Sequence, residues 1–63
     1  MIIQYIVSWG GRSPLEGNRE YFPSLSKALA RALAWREAGF SAFTHQIAID
    51  PISGSADFIP CSL

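Results

Sequence analysis

The segment "SLSKALARALAWREAGF", residues 24–40, is the one stretch of this chain with the period of an α-helix, and strand-like patterns lie on both sides of it. A lone helix has no helical neighbour against which to bury its apolar stripe, so the strands must form a sheet for it to lie on. Ser24 follows Pro23 and is placed to accept a hydrogen bond from a free N–H of the first turn, while Gly39 supplies a left-handed stop. On a helical wheel Leu25, Ala28, Leu29, Ala32 and Leu33 share an arc with Trp35 at its edge, and that arc is expected to face the sheet. Lys27, Ala30, Arg31, Ala34, Glu37 and Ala38 fall on the outer arc, where helix propensity alone accounts for the alanines.

Before the helix, "IIQYIVSW" sets Ile3, Tyr5, Val7 and Trp9 on one face and Ile2 and Ile6 on the other; the turn-rich "GGRSPLEGN" and a short strand, "REYF", follow. After the helix, "SAFTHQIAID" alternates Phe43, His45, Ile47 and Ile49 against Ala42, Thr44, Gln46 and Ala48. "DPISG" then turns the chain and "SADFIP" returns it, with Pro60 suited to an edge. The expectation is an α+β fold of two layers: an antiparallel sheet of three or four strands with one helix on one face, ββαββ or βαββ, as a single small domain over residues 1–63. Leu29, Ala32 and Leu33 are expected to pack on Tyr5, Val7, Phe43 and Ile47. Ile2, Ile6 and Ala48 are left for the open face of the sheet.

A domain of 63 residues normally needs a staple or a partner to be stable. Cys61 is the sole cysteine and His45 the sole histidine, so neither an intramolecular disulfide nor a four-ligand zinc site can form. A homodimer or a protein partner is therefore expected, with no cofactor. Five Lys and Arg balance five Asp and Glu, which disfavours a domain whose task is to grip nucleic-acid phosphates. No run approaches the roughly 20 apolar residues of a membrane span, and a free thiol fits the reducing cytoplasm.

Few residues are candidates for chemistry. The glycine-rich "SWGGRSPLEGNREYF" fails as a phosphate loop: five residues separate Gly11 from Gly17, and Asn18-Arg19 stands where Lys-Ser is needed, so it reads as a hairpin turn. His45 lies between Phe43 and Ile47 on its face, with no nucleophile or carboxylate beside it, and reads as a residue at the core's edge with one nitrogen bonded. Cys61 reads as a small apolar filler, Asp50 as the cap of the "DPISG" turn, and Asp57 as part of an exposed strand. Tyr5, Trp9, Tyr21, Phe22, Phe43 and Phe58 read as core packing rather than base-stacking platforms, for want of a basic surround.

With "MIIQYIVSW" followed by "LSKALARALAWREAGF" and no catalytic set, the chain resembles in overall build the accessory proteins of phages and mobile elements, anti-CRISPR inhibitors among them. The resemblance spans the whole chain. It implies a non-catalytic protein-binding module: a phage-encoded stoichiometric inhibitor of a bacterial defence complex that acts in the host cytoplasm by occluding a protein surface, such as a CRISPR–Cas effector subunit. A neutral chain would do so through mixed polar and apolar contacts rather than by mimicking DNA. Arg12, Arg19, Tyr21, Arg31 and Trp35 are the expected contact residues, because Arg, Tyr and Trp are the usual interface anchors. The alternative is a small nucleic-acid-binding or regulatory module using Lys27, Arg31 and Arg36 with Arg12 and Arg19. A nuclease dependent on His45 ranks third.

Overall fold

In the computed structural model, which describes residues 2–61, the elements run β1 (Ile2–Gly10), β2 (Gly17–Phe22), α1 (Leu25–Glu37), β3 (Ala42–Ile49) and β4 (Ala56–Cys61). The four strands make one antiparallel sheet in the order β2-β1-β3-β4, and the helix lies on one face of it. The expected ββαββ fold is thus the observed one. β1 with β2 and β3 with β4 are hairpins, and α1 carries the chain over the sheet so that β3 settles against β1.

The helix ends where its capping residues put them. Ser24 sits in extended backbone and its Oγ accepts from the Lys27 amide at 3.3 Å. At the other end Gly39 has φ +95°, and the Gly39 and Phe40 amides donate to the Arg36 and Trp35 carbonyls, each at 3.0 Å. This paired closure normally brings the residue after the glycine onto the helix's last turn. Here the Phe40 ring meets Trp35 edge-on, centroids 5.3 Å apart.

Register decides which side chains lie under the helix. Tyr5, Val7 and Trp9 do, as expected, and their partners Gln46, Thr44 and Ala42 must share their face. Phe43, His45, Ile47 and Ile49 therefore point away from the helix, beside Ile2, Gln4, Ile6 and Ser8. Two expectations fail here: Phe43 and Ile47 do not pack on the helix, and Ala48 does not belong to the open face. The reason is steric. The centre of the interlayer core is Val7 with three alanines, Ala28, Ala32 and Ala42, so the helix rests too close to the sheet to admit large β3 side chains.

The helical arc is rotated for the same reason. Ala28 and Ala32 are buried, with Trp35 packed against them, whereas Leu29 is half-buried and Leu33 is 51% exposed. Arg31 reaches Glu20 on β2, so the leucine flank faces the opposite way, towards β4, which the helix does not reach. Leu33 is not a core residue.

Two stability predictions follow from this packing. A Cβ at Gly17, where φ is +83°, would meet the Trp9 carbonyl oxygen at 2.5 Å, whereas nothing lies within 4 Å of one at Gly39. In urea denaturation Gly39→Ala should cost ~1 kcal/mol from backbone strain alone, and Gly17→Ala more than ~2 kcal/mol because strain and overlap combine. Equal losses would contradict the close approach at the hairpin neck. Ala32→Leu should destabilise by ~1–3 kcal/mol through overpacking, while Leu33→Ala should cost under ~1 kcal/mol. The reverse ranking would place the leucine, not the alanine, against the sheet.

Candidate protein-docking face

The helix covers one face of the sheet, and among the described residues no element covers the other. Across the open face the register aligns Tyr21, Ile6, His45 and Pro60 in one row and Gln4, Ile47 and Phe58 in the next. Arg19, Ser8 and Phe43 form a third row, and Ile2, Ile49 and Ala56 a fourth. Alternation in the strands selects these residues, and a single formal charge, on edge strand β2, falls among them. Tyr21 and Phe58 are 54% and 44% exposed, and Ile2 is similarly open.

The middle of this face is sunk. Ile6 and Ser8 are wholly buried, and His45 and Ile47 nearly so, although no second layer lies above them. Among the described residues the Ser8 Oγ and the His45 Nδ1 find no hydrogen-bonding partner, nor does the Thr44 Oγ1 on the helix side. His45 thus differs from its sequence expectation, which gave it one bonded nitrogen. Burial holds its imidazole below the ordinary value of 6.5. With no carboxylate or nucleophile bonded to it, the ring is poorly placed for general acid–base work.

The five expected contact residues do not converge. Arg19 and Tyr21 belong to the open face, Arg31 and Trp35 to the helix side, and Arg12 to the exposed loop between β1 and β2. Trp35 stacks on Trp9, centroids 4.6 Å apart and planes 9° from parallel. Its indole N–H donates to the Glu20 carboxylate, which also takes the Arg31 Nε at 3.0 Å, and the Arg31 guanidinium lies 5.1 Å from the Trp35 ring centre. Both residues are committed to the fold.

The basic set is similarly occupied. Arg19 donates through Nε and Nη2 to the Leu15 carbonyl, where Leu15 has φ 65°, and Arg36 clamps the Ala42 carbonyl at 3.0 and 2.8 Å. With Arg31 paired to Glu20, three of the five cations of the nucleic-acid reading are engaged within the chain; Lys27 and Arg12 stand exposed. The first loop ties itself together through Ser13 and Glu16, and its glycines serve a tight neck where backbone meets backbone.

The remaining polar candidates behave as the sequence indicated. The Asp50 Oδ1 accepts from the Ile52 amide at 2.9 Å, a bond that holds its carboxyl below the usual range and closes the turn. Asp57 is exposed on β4, and Cys61 is half-buried with its Sγ near the Ile59 carbonyl. Among the described residues no three His, Cys, Asp or Glu side chains gather as a metal site would require, and no helix is long and apolar enough to cross a membrane.

Phe43 and Phe58, expected in the core, lie on the open sheet face, Phe58 exposed and Phe43 half-buried, whereas Ile47 on the same face is nearly buried. The alternation of β3 separates Phe43 and Ile47 from Thr44 and Gln46 without saying which set the helix covers. No protein-family model matches the chain, and neither a curated protein nor a solved structure is similar to it.

His45 gives a pH prediction. Its folded-state pKa is depressed, so below about 6.5 the unfolded chain takes up the proton more readily and folding stability falls. The loss should develop as pH drops from about 6.5 towards the depressed folded value and level off beneath it. Urea unfolding at several pH values should show a dependence across this window that His45→Gln flattens. An unchanged dependence in His45→Gln would mean that the ring is not desolvated.

Proposed function

We propose that the protein is a non-catalytic binding module that acts stoichiometrically, laying its open sheet face on the surface of another protein chain. One observation carries the reading: on a 63-residue fold, one whole face of the sheet bears Tyr21, Phe58 and Ile2 in the open and a single charge at its edge. An apolar patch of this extent on so small a domain marks an association surface. The sunken Ser8 and His45 favour it further, because the surface presented outward is mostly carbon and is cheaply dehydrated.

The overall build adds the kind of target: a subunit of a bacterial defence complex, such as a CRISPR–Cas effector, met in the cytoplasm and blocked by occlusion. The cations already engaged with Leu15, Glu20 and Ala42 weigh against the nucleic-acid alternative. Tyr21 and Phe58 are the proposed anchors, with Arg19 at the rim. Arg31 and Trp35 contribute indirectly, by holding the helix in place.

Titration calorimetry against purified effector complexes should give a saturating whole-number stoichiometry. Tyr21→Ala and Phe58→Ala should each weaken binding by more than ~10-fold, and salt should change affinity little. Multiple-turnover chemistry abolished by His45→Ala, or affinity for DNA that falls steeply with salt, would refute the proposal.

A further inference from the structure

We infer that two copies of this chain pair through the helix side, each laying α1 over the part of the other's sheet that its own helix leaves bare. The layers then run sheet, two helices side by side, sheet, with both open faces pointing outward. The inference is independent of what those open faces bind.

Exposure is the first argument. α1 lies over β1 and β3 and does not reach β4. A shelf is left beside it, floored by Ala48, Asp57 and Ile59 and walled by the flank that carries Leu25, Leu29 and Leu33. Ile3, Leu25, Leu33 and Ile59 are 47%, 40%, 51% and 50% exposed. Four of the nine large apolar side chains left in solvent thus gather at one step in the surface, and such grouping marks a contact site where scattered ones do not.

Width is the second, and it selects a helix. With strands about 4.8 Å apart, β4 runs about 7 Å to the side of an axis set between β1 and β3. Helices pack about 8–10 Å apart, so one further helix, and no more, fits over β4. A second copy supplies one. A two-fold axis parallel to α1, midway between the sheets, sets each helix on the other's shelf and brings Leu25, Leu29 and Leu33 against their own mates. The arc turned to the second sheet carries Ala30 and Ala34, short enough for that sheet to approach closely.

Charge is the third. Asp57 is the one formal charge on the described floor of the shelf, in the row of Ile3 and Ala48. α1 starts at that end of the sheet, since Phe22 pairs with Tyr5 and Trp35 stacks on Trp9 at the other. The axis keeps the two helices parallel, so the partner's α1 begins over Asp57. Its first turn holds Lys27 and no acidic residue, and its free N–H groups favour an anion there. Glu37 falls at the opposite end, away from Asp57.

The area suffices. A helix of 13 residues is about 20 Å long and about 10 Å wide. Each copy then covers about 200 Å² of floor, a similar outer face of its helix and a narrower leucine flank, which together pass the roughly 1,000 Å² that a specific pair of surfaces requires.

Sedimentation equilibrium on the purified chain from about 1 μM to about 1 mM, where an interface of this size associates, should show the mass rising towards that of two chains. Leu33→Asp and Ile59→Asp, both at half-exposed positions, should each weaken association ~30-fold or more with unchanged circular dichroism. Phe58→Asp, on the open face, should leave association intact. In a chain that also carries Cys61→Ser, Leu33→Cys should oxidise to a covalent dimer, because the axis sets that position beside its own mate, and Phe58→Cys should not. A monomer at every concentration would overturn the inference, as would a dimer that Phe58→Asp breaks and Leu33→Asp does not.

Discussion

The stack of Trp9 on Trp35 is the contact on which the rest of the arrangement depends. It joins the end of β1 to the last turn of α1, and Phe40 closes against it from the helix cap. Beyond the area it buries, such a pair contributes about 0.5–1.5 kcal/mol, and its geometry matters more than that sum. Two flat rings in parallel contact set the height of one end of the helix above the sheet. The Trp35 indole N–H and the Arg31 guanidinium then both reach the Glu20 carboxylate on β2, which ties one flank of the helix to that edge while its body lies over the central strands β1 and β3.

From that height the composition of the core follows. At the centre of this layer only small side chains fit, and Val7, Ala28, Ala32 and Ala42 occupy it, with the aromatic residues Tyr5, Trp9, Phe22 and Trp35 packed around them. The large apolar residues of β3 and β4 lie elsewhere, on the far face or past the helix's reach. A sheet face left uncovered by the helix, carrying Phe43 and Phe58, is thus a by-product of close interlayer packing, and the same register produces both.

This is also where the sequence stops being legible. Ser24, Gly39 and Asp50 could be read because each acts within a few residues of itself, through caps and turns whose chemistry is local. The alternation of β3 was equally plain, but period two divides a strand into two sets without saying which faces inward. The more hydrophobic set is not the one the helix covers, because a helix this close to the sheet takes alanines rather than bulk at its centre. The partners of Arg31 and Arg36 were beyond reach for a different reason: Glu20 and the Ala42 carbonyl become neighbours only after the helix has docked. For the open sheet face, the composition is visible in the sequence and the side is not.

The strand order has a kinetic consequence. Both hairpins, β1 with β2 and β3 with β4, close over short loops, whereas the central pairing of β1 with β3 joins residues as distant in sequence as Ile2 and Ile49. Closure entropy grows with the length of chain enclosed, so that pairing is the slow event unless something shortens the path. The helix does so, since each helical residue advances only about 1.5 Å and the intervening segment is shortened to a compact rod. Trp35 docking on Trp9 would then bring the second hairpin to the first within reach of zipping, and the barrier to folding would lie at the tryptophan pair rather than in either hairpin.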